Sequence, residues 1–115
     1  MRTPWGESDY SATTPVEGVE FYATPSHGGF LVRLKPGARL PAWAFTIGEW
    51  EPGVGAWFEE DCAWAAVIYT WPEIGIGDGS LLEGAERDTN RAMALKVLRR
   101  WFADKLPHEL REEVA

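Results

Sequence analysis

The sequence predicts an α+β fold: a small antiparallel sheet of about three strands with two helices packed on one face. The sheet rests on two alternating segments separated by a glycine-containing turn. Val19, Phe21 and Ala23 alternate with Glu20, Tyr22 and Thr24; Phe30, Val32 and Leu34 alternate with Leu31, Arg33 and Lys35. The helices rest on two windows: Trp57 to Trp71, which holds no Gly or Pro, and Thr89 to Lys105, which repeats apolar residues at helical spacing.

Residues 1–18 scatter Pro4, Gly6, Pro15 and Gly18 among Ser and Thr without any regular period, which predicts an N-terminal arm with Trp5 and Tyr10 as its available anchors. A single globular domain is expected over 19–107, opening with the two alternating segments as a β-hairpin. Pro25-Ser26-His27-Gly28-Gly29 supplies the turn residues between them. A third strand is expected at Ala42 to Ile47, bounded by Pro41 and Gly48, although so short an apolar run fits a helix equally well. After a loop marked by Pro52, Gly53 and Gly55, the first helix is expected from Trp57 to Trp71. Glu59, Glu60 and Asp61 near its start would each favour the positive end of the helix dipole by about 0.3–1 kcal/mol. The run from Ala63 to Tyr69 is apolar on every side, so this helix should be central and buried. Glu73 to Gly79 reads as a mobile loop, and Ser80 with Glu83 has capping-box spacing. The second helix is expected over about 84–105, with Ala94, Leu95, Leu98, Trp101 and Phe102 on one face and Lys96, Arg99 and Arg100 on another. Pro107 stops it, and residues 108–115 are expected to fray.

The chain has 115 residues, enough for one core, and a formal net charge of −7. Its charge is segregated: between Leu40 and Glu86 lie nine acidic residues, no Lys or Arg, and five of the seven tryptophans. A field of one sign repels nucleic acid and attracts basic protein, so direct nucleic-acid binding is not expected and a protein partner with a basic surface is. From Arg87 to Lys105 six basic residues face two acids. This helix is expected to neutralise the acidic middle, within one chain or between the chains of a homo-oligomer. No apolar run approaches the roughly 18 residues of a membrane helix, and the start lacks the apolar stretch of a signal peptide. The lone Cys62 cannot form an internal disulfide, so a cytoplasmic location without membrane association is expected.

Trp43, Trp50, Trp57, Trp64 and Trp71 recur every seven residues, but Pro52, Gly53 and Gly55 forbid one continuous helix. Trp57, Trp64 and Trp71 are then either core aromatics or a contact patch rimmed by Glu60 and Asp61. Cys62 follows three carboxylates that disfavour a thiolate and precedes an apolar run, which predicts that it packs in the core. A catalytic role would instead need Cys62 as nucleophile, His27 as general base and a carboxylate such as Glu60 orienting the ring. A metal site would need His27 with two of Glu59, Glu60, Asp61 and Cys62; HExxH and CxxC spacings are missing, and no metal is expected. Gly75-Ile76-Gly77-Asp78-Gly79 lacks the GxGxxG and GK[ST] patterns, and Asp78 repels phosphate, so no nucleotide cofactor is expected.

The segments Thr24-Pro25-Ser26-His27-Gly28-Gly29 and Trp57-Phe58-Glu59-Glu60-Asp61-Cys62-Ala63-Trp64, in that order, resemble a family of uncharacterised domains of phage and plasmid proteins. In that family a TPSHGG-like turn precedes a WYEEDCxW-like helix; Phe58 stands here where Tyr is usual. The likeness spans roughly residues 19–75 and implies an origin on a mobile element and action in the cytoplasm of a bacterial host, without naming an activity. Two readings follow. The preferred one is a small acidic protein that binds a host or phage protein and inhibits a nucleic-acid-binding or defence component. Its contact residues would be Ser26, His27, Gly28, Trp57, Glu59, Glu60, Asp61 and Trp64. The alternative is a hydrolase or acyl- or thiol-transfer enzyme built on Cys62 and His27.

Overall fold

The computed structural model describes residues 1–34, 39–76 and 78–111. Lys35 of the expected second strand, Gly77 of the expected loop and residues 112–115 of the expected tail lie outside them. The chain begins with a small hairpin, β1 (Arg2–Thr3) and β2 (Gly6–Glu7). It continues through β3 (Tyr10–Thr13), β4 (Val19–Ala23) and β5 (Gly28–Val32), makes the single helical turn α1 (Ala42–Phe45), and returns to the sheet as β6 (Glu49–Glu51) and β7 (Gly55–Glu59). Then follow α2 (Trp64–Thr70), α3 (Gly84–Trp101), a 3-10 turn at Ala103–Lys105 and α4 (His108–Arg111). The fold is α+β. Among the described residues its main sheet is fully antiparallel and has five strands in the order β3-β4-β5-β7-β6, rather than about three.

The β4–β5 hairpin forms where the alternation placed it, with Val19 opposite Val32 and Phe21 opposite Phe30. These four side chains face the helices and form the core with Ala56, Phe58, the Ala65–Ile68 run of α2, and Ala94 and Leu98 of α3. The expected helix over 57–71 is corrected: its first residues are strand β7, the acids turn the chain, and only Trp64–Thr70 is helical. The reason is burial on both sides. Ala56 and Phe58 point to the helices while Trp57 points to the opposite face, and a strand covered on both faces loses the alternation that would reveal it. Glu59, Glu60 and Asp61 therefore end a strand, and α2 has no acidic residue in its first turn. The segment expected as a third strand, Ala42 to Ile47, is instead the helical turn α1 and its exit.

The opposite face of the sheet is covered by residues expected to be an irregular arm. The Thr3 hydroxyl donates to the Gly6 carbonyl at 2.7 Å and accepts the Trp5 N–H at 3.2 Å, fixing the β1–β2 hairpin. Trp5 then meets Trp57 edge-to-face, with centroids 5.6 Å apart and planes at 81°, and Tyr22 reaches the same ring at 5.7 Å. Trp57 and Leu31 are thereby buried on the side away from the helices.

The two helices do not both lie on the sheet: α2 does, and α3 packs chiefly on α2. Asn90, Ala94 and Leu98 form the buried stripe of α3. Trp101 belongs to this stripe by spacing yet is 60% exposed. Seven residues of α2 cannot underlie the whole of an eighteen-residue helix that rises about 1.5 Å per residue. Asn90 ties α3 to the segment after α2, its Nδ2 donating to the carbonyls of Pro72 at 3.0 Å and Ile74 at 2.9 Å. The capping box does not form: Glu83 is the extended residue before α3 and makes no side-chain cap. The Ser80 N–H bonds Asp78 Oδ1 at 2.9 Å instead, and this bond holds the exposed Asp78 carboxyl below its usual range. A bridge between Ile74 and Leu81 closes the surrounding loop. Among the described residues no helix is long and apolar enough to cross a membrane.

Candidate functional site

Pairing of β5 with β7 sets Gly29 opposite Glu59 and Phe30 opposite Phe58. The ladder continues past the strand, with the Glu60 N–H donating to the Gly28 carbonyl at 2.8 Å. The turn between β4 and β5 and the acids after β7 thus meet at one end of the sheet. The turn closes on itself: the Thr24 N–H donates to the His27 carbonyl at 2.7 Å, and the His27 N–H to the Thr24 hydroxyl at 3.1 Å. By strand alternation His27 shares the helix-distal face with Gly29 and Glu59. Its Nδ1 lies 3.1 Å from Glu59 Oε1, and both side chains remain partly open to solvent.

The two glycines of the turn have separate steric reasons. A Cβ on Gly28 would come within 3.1 Å of the Phe21 ring and 3.2 Å of Glu60 Oε2. One on Gly29 would collide with the Phe58 carbonyl and approach Trp5 Cη2 to 2.5 Å. Close approach of the N-terminal hairpin to the sheet therefore depends on Gly29.

Of the residues expected to form a contact surface, Ser26, His27, Glu60 and Asp61 are exposed, Glu59 and Trp64 are half-buried, and Gly28 is buried. Trp57 is 1% exposed, with its Nε1 donating to Glu51 Oε1 at 2.9 Å, so it belongs beneath the surface and not on it. The tryptophan that the acidic region presents is Trp50, 51% exposed on edge strand β6 between Glu49 and Glu51. Cys62 is half-buried in the turn before α2, and its carbonyl accepts the Ala65 N–H at 3.1 Å. Among the described residues no hydrogen bond joins its thiol to His27. The carboxylate on the imidazole is that of Glu59, where Glu60 was expected. Among the described residues no three His, Cys, Asp or Glu side chains converge as a metal site would require.

One polar cluster on this face was not singled out from the sequence. Arg33 Nε lies 3.0 Å from both carboxylate oxygens of Glu20, and the Tyr22 hydroxyl donates to Glu20 Oε1 at 2.7 Å. Burial, then the bond to Glu20, raises the Tyr22 hydroxyl above its ordinary value. Burial pulls the Arg33 guanidinium down, but Glu20 and Tyr22 more than offset it and the net direction is up. The signal was available in the hairpin register, which puts Leu31 opposite Glu20 and Arg33 diagonal to it.

Charged side chains meet at Met1 with Glu7, His27 with Glu59 and Arg33 with Glu20. Arg91 lies 4.6 Å from the centre of the Tyr69 ring, and Arg99 Nε donates to the Leu110 carbonyl at 2.9 Å.

A family model described as a domain of unknown function, DUF7007, matches residues 1–114. The chain belongs to this family. The matched DUF7007 region takes in the β1–β2 hairpin, both ends of the His27–Glu59 contact and all of α3. No curated protein and no solved structure matches the chain.

Proposed function

We propose that the protein is a binding protein whose end-of-sheet surface, formed by Ser26, His27, Glu59, Glu60 and Asp61, docks a protein with a basic surface. One observation carries this reading: β5–β7 pairing sets the exposed turn residues Ser26 and His27 beside the contiguous acids Glu59, Glu60 and Asp61, of which Glu60 and Asp61 are exposed. Negative charge held this way steers a basic partner over long range and sets its orientation. The net charge of −7 supports a basic protein over nucleic acid as the partner. Resemblance of the two segments to phage and plasmid domains supports a bacterial cytoplasm as the setting. A nucleic-acid-binding or defence component, basic on its working face, is then the target that would be inhibited.

The test is affinity capture of the tagged protein from phage-infected host lysate at low and high salt, followed by mass spectrometry. A stoichiometric basic partner is expected, retained at low salt and lost when Glu60 and Asp61 are both replaced by Lys. Undiminished capture by that charge-reversed variant would overturn the electrostatic reading.

The Glu59–His27 contact favours one second reading. A carboxylate on Nδ1 orients an imidazole so that Nε2 can act as a general base, and Cys62 is the nearby candidate nucleophile in sequence. The activity would be a hydrolase or an acyl or thiol transfer. Alkylation of Cys62 that is rapid at neutral pH and slowed in His27→Ala would support it, whereas a thiol that reacts only in denaturant would remove it.

A further inference from the structure

Helix α3 gives one narrow stripe to the core and presents an ordered face to solvent. Glu86, Thr89, Met93, Lys96 and Arg100 follow one another at alternating intervals of three and four, the spacing of a helix–helix seam, and Leu82 lies in the extended segment before the helix. Leu82 is half-buried and the other five are exposed. Shallow clefts flank the Thr89–Met93 ridge on both sides, one reaching Leu82 and Ala85, the other Ala92 and Leu95.

The charges along this seam are ordered, acidic at Glu86 and basic at Lys96 and Arg100. Neither Glu86 nor Lys96 makes an ion pair or side-chain hydrogen bond among the described residues. Such a seam is self-complementary in one orientation only. Two copies related by a two-fold axis, with their helices antiparallel, set Glu86 against Lys96 and Thr89 against Met93. Every layer then occurs twice, as an isologous contact requires. A uniformly acidic or basic partner would meet a like charge at one end, whereas a second copy meets none.

We infer that α3 is a self-association surface, pairing antiparallel with α3 of a second copy of this chain. Eighteen residues span about 27 Å, so the seam has few layers. The buried area falls below the roughly 1,200 Å² of a standard stable interface. The dimer is accordingly weak and sensitive to salt, because its specificity lies in exposed charge pairs.

Sedimentation equilibrium over a range of protein concentrations at low salt tests this. The parent protein should pass from the mass of one chain toward that of two, and Glu86→Lys and Lys96→Glu should each weaken association by about tenfold or more. An equimolar mixture of the two variants should recover the parent's association, since both seams then pair opposite charges. Both substitutions lie on the exposed face, and unchanged far-ultraviolet circular dichroism would show that each variant is folded. A parent that stays monomeric at all concentrations would overturn the inference. So would single variants that associate like the parent, or a mixture that does not recover association.

Discussion

Replacement of Gly29 by alanine should loosen both layers that meet on β5. The added Cβ would collide with the Phe58 carbonyl, lie 2.5 Å from Trp5 Cη2 and sit 3.0 Å from Glu59 Cα. Trp5, on the small hairpin, can swing away, but it then forfeits its edge-to-face contact with Trp57, worth about 0.5–1.5 kcal/mol. The Phe58 carbonyl is main chain of the paired strand and yields only if β5 and β7 separate, an overpacking cost of about 1–3 kcal/mol. Alanine recovers about 0.5–1 kcal/mol through its smaller loss of chain entropy. The net destabilisation is about 2 kcal/mol, which for a chain of 115 residues lowers the melting temperature by about 8 °C. Urea unfolding followed by tryptophan emission, with a circular-dichroism melt, measures it. In a Trp5→Ala background the same substitution should cost about 1 kcal/mol less, because one of the two obstacles is gone. Gly53→Ala is the control, with φ at 78° and nothing within 4 Å of its Cβ; it should cost only the backbone strain of about 1 kcal/mol. Stability of Gly29→Ala within about 0.5 kcal/mol of the parent, the range of an inert surface change, would refute the steric account of how hairpin and sheet meet.

Asn90→Ala should destabilise by about 2–3 kcal/mol, since it strands the Pro72 and Ile74 carbonyls beneath α3; a loss under about 1 kcal/mol in the same urea titration would mean they find other donors. The raised Tyr22 hydroxyl makes the folded state hold that proton more tightly than the unfolded state. Its contribution is complete below the ordinary tyrosine value of about 10 and is lost as pH rises through the folded value. Tyr22→Phe should therefore show a shallower fall in stability between about pH 9 and 11, and a fall as steep as the parent's would contradict the assignment. Glu59→Gln should shift stability by less than about 0.5 kcal/mol, because its partner His27 is solvent-exposed, yet it should change partner capture or Cys62 alkylation. A large loss of stability with both functions intact would make the contact purely structural.

The sequence disclosed elements where one face meets the core and the other meets water. The β4–β5 hairpin shows this, with Val19, Phe21, Phe30 and Val32 alternating cleanly inward. Helix α3 was legible in its buried Ala94 and Leu98, but it ends at Trp101, before a 3-10 turn at Ala103–Lys105, rather than running to about residue 105. Strand β7 was hidden because Trp57 is sealed by the N-terminal hairpin while Phe58 is sealed by the helices, leaving an unbroken apolar run that continues into α2. The heptad of tryptophans dissolved for a related reason. Trp50 stands on an exposed edge strand, Trp57 lies beneath Trp5, and Trp64 opens α2, so the equal spacing has no common face.

By itself the sequence determined an α+β domain with segregated charge, and it marked the Thr24–Gly29 and Trp57–Trp64 segments as the chemically notable ones, because composition and local periodicity are properties of the chain alone. Tertiary structure alone decided that His27 meets Glu59, that Trp57 is buried and Trp50 exposed, and that the first residues cap the sheet. Each of these depends on which strands pair and in what register, and register joins residues far apart in the chain through backbone hydrogen bonds that carry no side-chain signature.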